Sequence, residues 1–504
     1  MEDILAQLGH GFAVASTLKN LLMALAGAFL GTVVGVLPGL GPTAAMSLLL
    51  PLSFTLDPIG AVILLAGVWY GSQYGGSTTA ILLNMPGEAT SVVTAYDGYQ
   101  MALKGRAGAA LFVAATGSFV ASVAGLVGLA VAAPALASFA LKFGPPEYFA
   151  LALLGFIVLF NVTGGPLYKS ALMAALGMMV SCVGLDKMSG TPRFTFGSTA
   201  MMDGIDLAAI VMGVYGISEV MEQLSARAVK ASDIARVKLR DLYPTRAELR
   251  RSVAPIARGS LVGFLVGLVP GPAGVISTFL SYRLEKRVSR HPEEFGHGAI
   301  EGVAGPEAAN NAVTSASLIP LLSLGLPFSA PAAVLLTGFM IHGVTPGPML
   351  IQNSPDLFWG LVASMVIGNI ALLVLNLPLV GVFASLIAIP KQYLVSVVCL
   401  MLLAGAYAAT GGMVTVWVAA VSGVLAWWLR PYGYDPAPFV LGLVLGPLVE
   451  RSLRRSLAMY DGDITMFAHN PLAAAMLTLS ALVLLVGLGL RLKHLLSVRR
   501  TQRV

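Results

Sequence analysis

Apolar residues run along this chain in long blocks. Segments 18–37, 43–56, 59–83, 108–133, 147–162, 166–185 and 205–224 precede a polar interval. Segments 253–269, 272–282, 309–326, 329–345, 357–388, 393–408, 411–429, 436–449 and 471–492 follow it. Stretches such as 151–160 and 472–490 are apolar on every face of a helix, a pattern of helices in lipid and not of the alternating strands of a barrel. At about 20 residues per crossing, the blocks predict an all-α polytopic membrane protein with about 10–14 membrane segments. Segments 43–56, 272–282 and 436–449 are too short to cross alone, and others are cut by Gly and Pro. Re-entrant hairpins and discontinuous helices are therefore expected.

Composition narrows the class further. Of 504 residues, 57% are apolar and only 11% charged, against roughly 25% charged in soluble domains. Cys182 and Cys399 lie far apart in apolar stretches and fit neither zinc nor redox spacing. The opening MEDILAQLGHGF carries acids where a cleaved leader needs bases, so the first apolar segment is expected to stay in the membrane. The net charge of +6 sits in loops beside the spans. It points to the lipid bilayer as a partner and to no nucleic acid. Twenty charged residues, 13 of them basic, fall between Arg227 and Glu301. The basic loop 225–252 and the tail 493–504 are expected to be cytoplasmic. Thr245-Arg-Ala-Glu248 has the spacing of a helix capping box.

Five motifs recur in the same order in the two halves. Gly35-Val-Leu-Pro-Gly-Leu-Gly-Pro42 returns as Gly267-Leu-Val-Pro-Gly-Pro-Ala-Gly274, and Asn84-Met-Pro-Gly-Glu88 as Gly325-Leu-Pro-Phe-Ser329. Gly98-Tyr-Gln-Met, Pro146-Glu-Tyr-Phe and Gly164-Gly165 are answered by Gly338-Phe-Met-Ile, Lys391-Gln-Tyr-Leu and Gly411-Gly412. The expected organisation is an N-terminal segment 1–17, membrane repeat 18–224, the basic loop, membrane repeat 253–450, a connection 451–470, a terminal helix 471–492 and the tail. If each half crosses an odd number of times, the two copies are inverted.

Candidate chemistry lies where polar residues interrupt apolar runs. The stretch from Tyr70 to Glu88 holds Gly75-Gly76, Gln73, Ser77, Thr78, Thr79, Asn84 and Pro86. Paired glycines are poor helix formers, each costing about 1 kcal/mol relative to Ala. A helix break is therefore expected there, with freed backbone N–H groups available to an anion. Close helix packing through small residues is the plainer alternative. In the second half, Asn310 and Asn311 open an apolar run after Pro306 and Glu307, which also fits an ordinary helix start. Gly76, Ser77, Thr78, Thr79, Asn310, Asn311 and Thr314 are the candidate substrate-binding residues. Carbonyls at Gly39, Gly41, Asn84, Gly271 and Gly274 are candidates for a Na+ ion, and no other metal or cofactor is expected. No HExxH, Walker A loop or GxSxG elbow is present, and no catalytic residues are assigned, so neither an enzyme nor an ATP-driven pump is expected. Glu219, Glu222 and Glu450 lie at the ends of apolar segments, where an interfacial role is expected.

The strings GVLPGLGP (35–42), YGSQYGGSTTAILLNMPGE (70–88), DGYQMALKGRAG (97–108), EKRVSRHPEEFGHGAIEGVAGPEAANNA (285–312), LIPLLSLGLP (318–327) and GYDPAPFVLGLVLGPLVERSLRRSL (433–457) resemble the large membrane subunit of the bacterial tripartite tricarboxylate transporters over nearly the whole length. The resemblance implies a multi-pass subunit of the bacterial cytoplasmic membrane that imports a tricarboxylate, such as citrate, or a related carboxylate. It implies a periplasmic solute-binding protein and a small four-helix membrane subunit as partners, with Na+ or proton symport and no ATP. A dimer of the membrane complex is left open. A channel, or an organic-anion transporter without a binding protein, is the alternative. Phe328 after the second Leu-Pro and PGPAG in the second turn depart from the family pattern, which bears on substrate identity.

Overall fold

The computed structural model describes residues 2–37, 40–162, 166–225, 243–386 and 391–501. In chain order the helices begin with α1 (Glu2–Ala15), α2 (Leu18–Gly35), α3 (Pro42–Ser53), α4 (Pro58–Leu83), α5 (Val92–Leu103) and α6 (Ala107–Ala140). Then come α7 (Pro145–Val162), α8 (Leu167–Ser181), α9 (Leu207–Val211) and α10 (Ser218–Ser225), the last two joined by a π-helical stretch, Met212–Ile217. The second half has α11 (Arg246–Gly267), α12 (Ala273–Val288), α13 (Glu301–Leu324), α14 (Ala330–Ile341), α15 (Leu350–Asn353), α16 (Pro355–Asn376) and α17 (Val380–Leu386). It closes with α18 (Lys391–Thr410), α19 (Met413–Leu429), α20 (Pro436–Met459), α21 (Met466–His469) and α22 (Pro471–Thr501). The described strands are β1 (Gly184–Leu185) and β2 (Pro192–Arg193), paired antiparallel. The chain is an all-α polytopic membrane protein. Seven described helices are long and apolar enough to cross a membrane alone.

Two compact units are present. The first comprises Met1–Ala140, Ala208–Val269 and Ala273–Trp428; the second comprises Leu141–Leu207, Pro270–Pro272 and Leu429–Val504. In the first unit, α2 and α4 run alongside each other on glycine. A Cβ built on Gly71 would lie 2.5 Å from the Ala28 carbonyl oxygen and 3.0 Å from Gly31 Cα. One turn on, a Cβ on Gly75 would meet the Thr32 carbonyl at 2.5 Å. The pair α11 and α13 is built the same way, with Gly259 against the Gly305 backbone and Gly263 against Ala309. Small residues bring backbones close enough for dispersion to hold the helices where lipid gives no hydrophobic drive.

Several expectations about helix ends are corrected. Gly75-Gly76 does not break α4, which runs on to Leu83, because these glycines sit at backbone contacts with the end of α2 and with Gly87. The interruption comes later, at Asn84, a left-handed C-cap with φ 54°. Likewise α13 starts at Glu301, placing Pro306 and Glu307 inside it and not at a first turn. Gly325 ends it with φ 73°. The capping box at α11 forms as expected: Thr245 accepts from Glu248 N–H, and Glu248 accepts from Thr245 N–H at 2.6 Å. Burial raises the Glu248 carboxyl, but the Thr245 N–H, its hydroxyl and Arg106 outweigh it and hold the group below the usual range.

In the second unit α20 is longer than the apolar run 436–449 implies, because its last three turns exchange lipid contact for ion pairs. Arg454 meets Asp186 at 2.8 Å and Glu450 meets Arg193 at 2.6 Å. The Met188 N–H, Arg454 and Ser189 hold the Asp186 carboxyl well below its usual range. Helices α8 and α20 touch where Gly442 packs on the Ala174 backbone.

Gly71→Ala is expected to lower the thermal midpoint of the purified protein, since overpacking costs about 1–3 kcal/mol. Gly368→Ala, with open space at its Cβ, should leave it unchanged or raise it slightly. Equal shifts in detergent melts would contradict the packing account.

Candidate functional site: the α4–α13 seam

Helices α4 and α13 cross antiparallel and turn their polar residues toward each other. Tyr70, Gln73 and Ser77 occupy one face of α4 at steps of three and four, and Glu307, Asn310 and Thr314 do the same on α13. Tyr70 OH lies 2.5 Å from Ser315 Oγ. Gln73 Nε2 donates to Thr314 Oγ1 at 2.7 Å and to Asn310 Oδ1 at 3.4 Å. Ser77 Oγ stands 2.7 Å from Glu307 Oε2. All six face residues are buried, as is every residue of α13 from Glu301 to Ser323.

Neighbouring elements complete the seam. Thr94 of α5 donates to Glu307 Oε1, and Ser118 of α6 lies 3.5 Å from Oε2. Asn311 Nδ2 donates to Ser118 Oγ at 2.7 Å and to the Glu307 carbonyl at 3.2 Å. On the other side, Asn310 Nδ2 donates to Glu88 Oε1 at 3.1 Å. Among the described residues, no Arg, Lys or His pairs with Glu88 or Glu307. A cavity lined by Tyr74, Ser77, Thr78, Ser118, Glu307 and Asn376 has about 10 Å³ of room for the centre of a water molecule. That is about one water or one bare ion.

The loop ahead of α13 is fixed from α5. Asp97, fully buried, accepts on Oδ1 from the N–H groups of Gly296, Gly298 and Ala299 at 2.7–2.9 Å. Its Oδ2 accepts from Tyr282 OH at 2.9 Å. Beyond this loop, Arg251 bridges Glu301 and Glu294, and Arg258 binds Glu285. Two acids of the charged stretch 284–298, Glu285 and Glu294, are thus paired with arginines of α11.

The structure brings together Ser77, Asn310, Asn311 and Thr314. Gly76 supports the seam from behind: Gly87 N donates to its carbonyl at 3.5 Å, and a Cβ on Gly87 would lie 2.5 Å from Gly76 Cα. Thr78 lines the cavity while its hydroxyl donates to the Tyr74 carbonyl, and Thr79 donates back to Gly76. Gly41 caps α3, with Glu88 Cβ 3.5 Å from its built Cβ. Gly274, in α12, has Asn310 Oδ1 within 3.8 Å of its built Cβ. Asn84 is exposed and serves as a helix cap. Gly271 adopts φ 132° in the turn after α11, and Gly39 lies outside the described residues, as do Pro38, Gly164, Gly165 and most of the basic loop. Sequence reasoning missed Thr94, Asp97 and Ser118, and assigned Glu307 no more than a place in an ordinary helix start. The signal for Glu307 was available: with Asn310 and Thr314 it makes one polar stripe at steps of three and four.

Long apolar helices around a buried polar seam define a polytopic membrane protein. The tripartite tricarboxylate transporter TctA family model matches residues 21–441, and the chain belongs to that family. It is 45% identical over 488 residues, 97% of each chain, to an uncharacterized 52.8 kDa protein in the TAR-I ttuC′ 3′ region of Agrobacterium vitis. It is also 45% identical over 226 residues to an uncharacterized protein in the TAR-II ttuC′ 3′ region of that organism, covering 45% of this chain and 93% of that one. No solved structure matches it.

Asp97→Ala leaves the N–H groups of Gly296, Gly298 and Ala299 without their acceptor, and the buried one alone costs about 1–3 kcal/mol. Hydrogen exchange at 296–299 is expected to accelerate at least tenfold, on the order of that energy. Unchanged protection would show that the loop is held by other contacts.

Proposed function

We propose that this chain is the substrate-translocating subunit of a gradient-driven importer in the bacterial cytoplasmic membrane, with the α4–α13 seam as its carboxylate site. In this reading a periplasmic solute-binding protein delivers a tricarboxylate such as citrate, or a related carboxylate. A small four-helix membrane subunit completes the complex. Uptake is symport with Na+ or H+ and uses no ATP. The motif order further suggests that 18–224 and 253–450 are two copies of one repeat.

One observation carries the reading: two buried helices present complementary rows of hydroxyls, amides and carboxyls to each other. Polar groups in lipid are costly, and such rows usually mark a substrate or ion path. The cavity at Glu307 is far too small for a tricarboxylate, so the helices must part to admit one. Ser77, Thr78, Asn310, Asn311 and Thr314 then exchange their mutual bonds for substrate oxygens. A multiply charged anion beside Glu88 and Glu307 would be repelled strongly in a low-dielectric site. Cotransported cations remove that repulsion, which is why ion coupling fits the residues present.

Binding-protein-dependent citrate uptake into vesicles holding both membrane subunits tests this. Ser77→Ala and Asn310→Ala are each expected to lower uptake at least tenfold, consistent with losing a charge-assisted hydrogen bond of about 1.5–3 kcal/mol. Wild-type rates in both variants would remove the site assignment.

A further inference from the structure

A carboxyl already sits on one of the seam's amides. Glu88 Oε1 accepts from Asn310 Nδ2 at 3.1 Å, and Gln73 Nε2, 3.4 Å from Asn310 Oδ1, sets the amide with its donor end toward Glu88. Glu88 belongs to neither α4 nor α13. It lies in the loop after the left-handed cap at Asn84, just ahead of a single 3₁₀ turn, Ala89–Ser91. Two glycines clear its path: a Cβ built on Gly76 would lie 3.5 Å from Glu88 Cγ, and one built on Gly41 would lie 3.5 Å from Glu88 Cβ. Gly41 is the N-cap of the 12-residue α3, an end whose partial positive charge favours a carboxylate. Asn310 is buried, whereas Glu88 is partly exposed and its neighbours Asn84 and Ala89 are exposed. The backbone bonds of this loop are long. Met85 N–H meets the Thr79 carbonyl at 3.4 Å, Gly87 meets Gly76 at 3.5 Å and Ser91 meets Glu88 at 3.2 Å, against about 2.9–3.0 Å usually. Such a segment can shift without unfolding a helix.

We propose that Glu88 is a built-in competitor of the substrate: its carboxyl holds, on Asn310, the place that one carboxylate of the incoming anion takes, and it swings outward when that anion binds. The proposal rests on the importer reading above and adds a regulating residue to its site. The exchange is like for like, since an amide donor serves a glutamate carboxylate and a substrate carboxylate in the same way. Among the described residues no arginine, lysine or histidine pairs with Glu88, so no ion pair has to break to free it. Its way out is the exposed side of the loop, where water replaces the Asn310 bond. While substrate is absent, Glu88 keeps the buried Asn310 donor from being left unpaired, which is costly. Its departure also carries a negative charge away from the anion that replaces it. Affinity is then set by substrate against a tethered carboxyl, and the empty seam stays packed until substrate prevails.

Binding of radiolabelled citrate to the purified full-length protein in lipid nanodiscs, read beside citrate counterflow in vesicles, tests this. Glu88→Ala should bind citrate about tenfold more tightly than wild type, the scale of one hydrogen bond to a charged group. Glu88→Asp, one methylene too short to reach Asn310, should gain about as much. Glu88→Gln, which keeps the reach and the acceptor oxygen but loses the charge, should gain less. In an Asn310→Ala background the Glu88→Ala gain should vanish, because the competitor has lost its seat. Were Glu88 only a repelling charge, Glu88→Asp would match wild type, Glu88→Gln would match Glu88→Ala, and the gain would survive without Asn310; that pattern overturns the proposal. Weaker binding by Glu88→Ala, which would make Glu88 a ligand of the substrate or of its cation, overturns it too, as does unchanged affinity in all three variants. Citrate binding and counterflow absent from wild type and from every variant would instead overturn the importer reading on which the competitor rests.

Discussion

Lipid offers no hydrogen bonds, so a polar side chain on a membrane helix must find its partner within the protein. Helices α4 and α13 meet that constraint with each other. Gln73 with Thr314, and Ser77 with Glu307, form a ladder between two buried helices. The surrounding contacts serve this crossing. Glycine contacts fix α2 against α4 and α11 against α13. Asp97 anchors the chain as it enters α13, and Gly87 folds the Pro86 loop back on Gly76 so that Glu88 reaches Asn310.

Much of the architecture was legible in the apolar blocks. The 18-residue α2 is followed by the shorter α3, and the turn after α11 leads into the shorter α12. Less legible was what polar and glycine residues do inside helices. Gly75-Gly76 reads as a weak point locally, yet its missing side chains are what admit α2 and the loop at Gly87. Tertiary contact outweighs the propensity penalty of about 1 kcal/mol per glycine. Glu307 fits a helix start in the local pattern, yet it lies inside α13 with hydroxyls enclosing it, while Arg251 neutralises Glu301. Those partners lie on other helices and leave no trace in local pattern. Ser77, Asn310, Asn311 and Thr314 were found because hydroxyls and amides in an apolar run are conspicuous. Ser118 was missed because isolated serines in a 34-residue apolar helix are not.

In the proposed importer, charge links the seam to transport. Its donors suit carboxylate oxygens, while its two carboxyls disfavour a bare anion. Such a site accepts a negatively charged substrate only together with positive charge. Recognition and coupling are then one electrostatic requirement, and the same seam that is stable when packed is costly to leave half-open and unneutralised.

The most direct measurement locks the crossing. With Cys182 and Cys399 replaced by Ala, Gln73→Cys and Thr314→Cys can be combined and oxidised in vesicles with a membrane-permeant oxidant, then assayed for uptake. Rapid cross-linking that stops uptake, reversed by reduction, is the expected result. Failure to cross-link, or full uptake by the cross-linked protein, would contradict a transport site between α4 and α13.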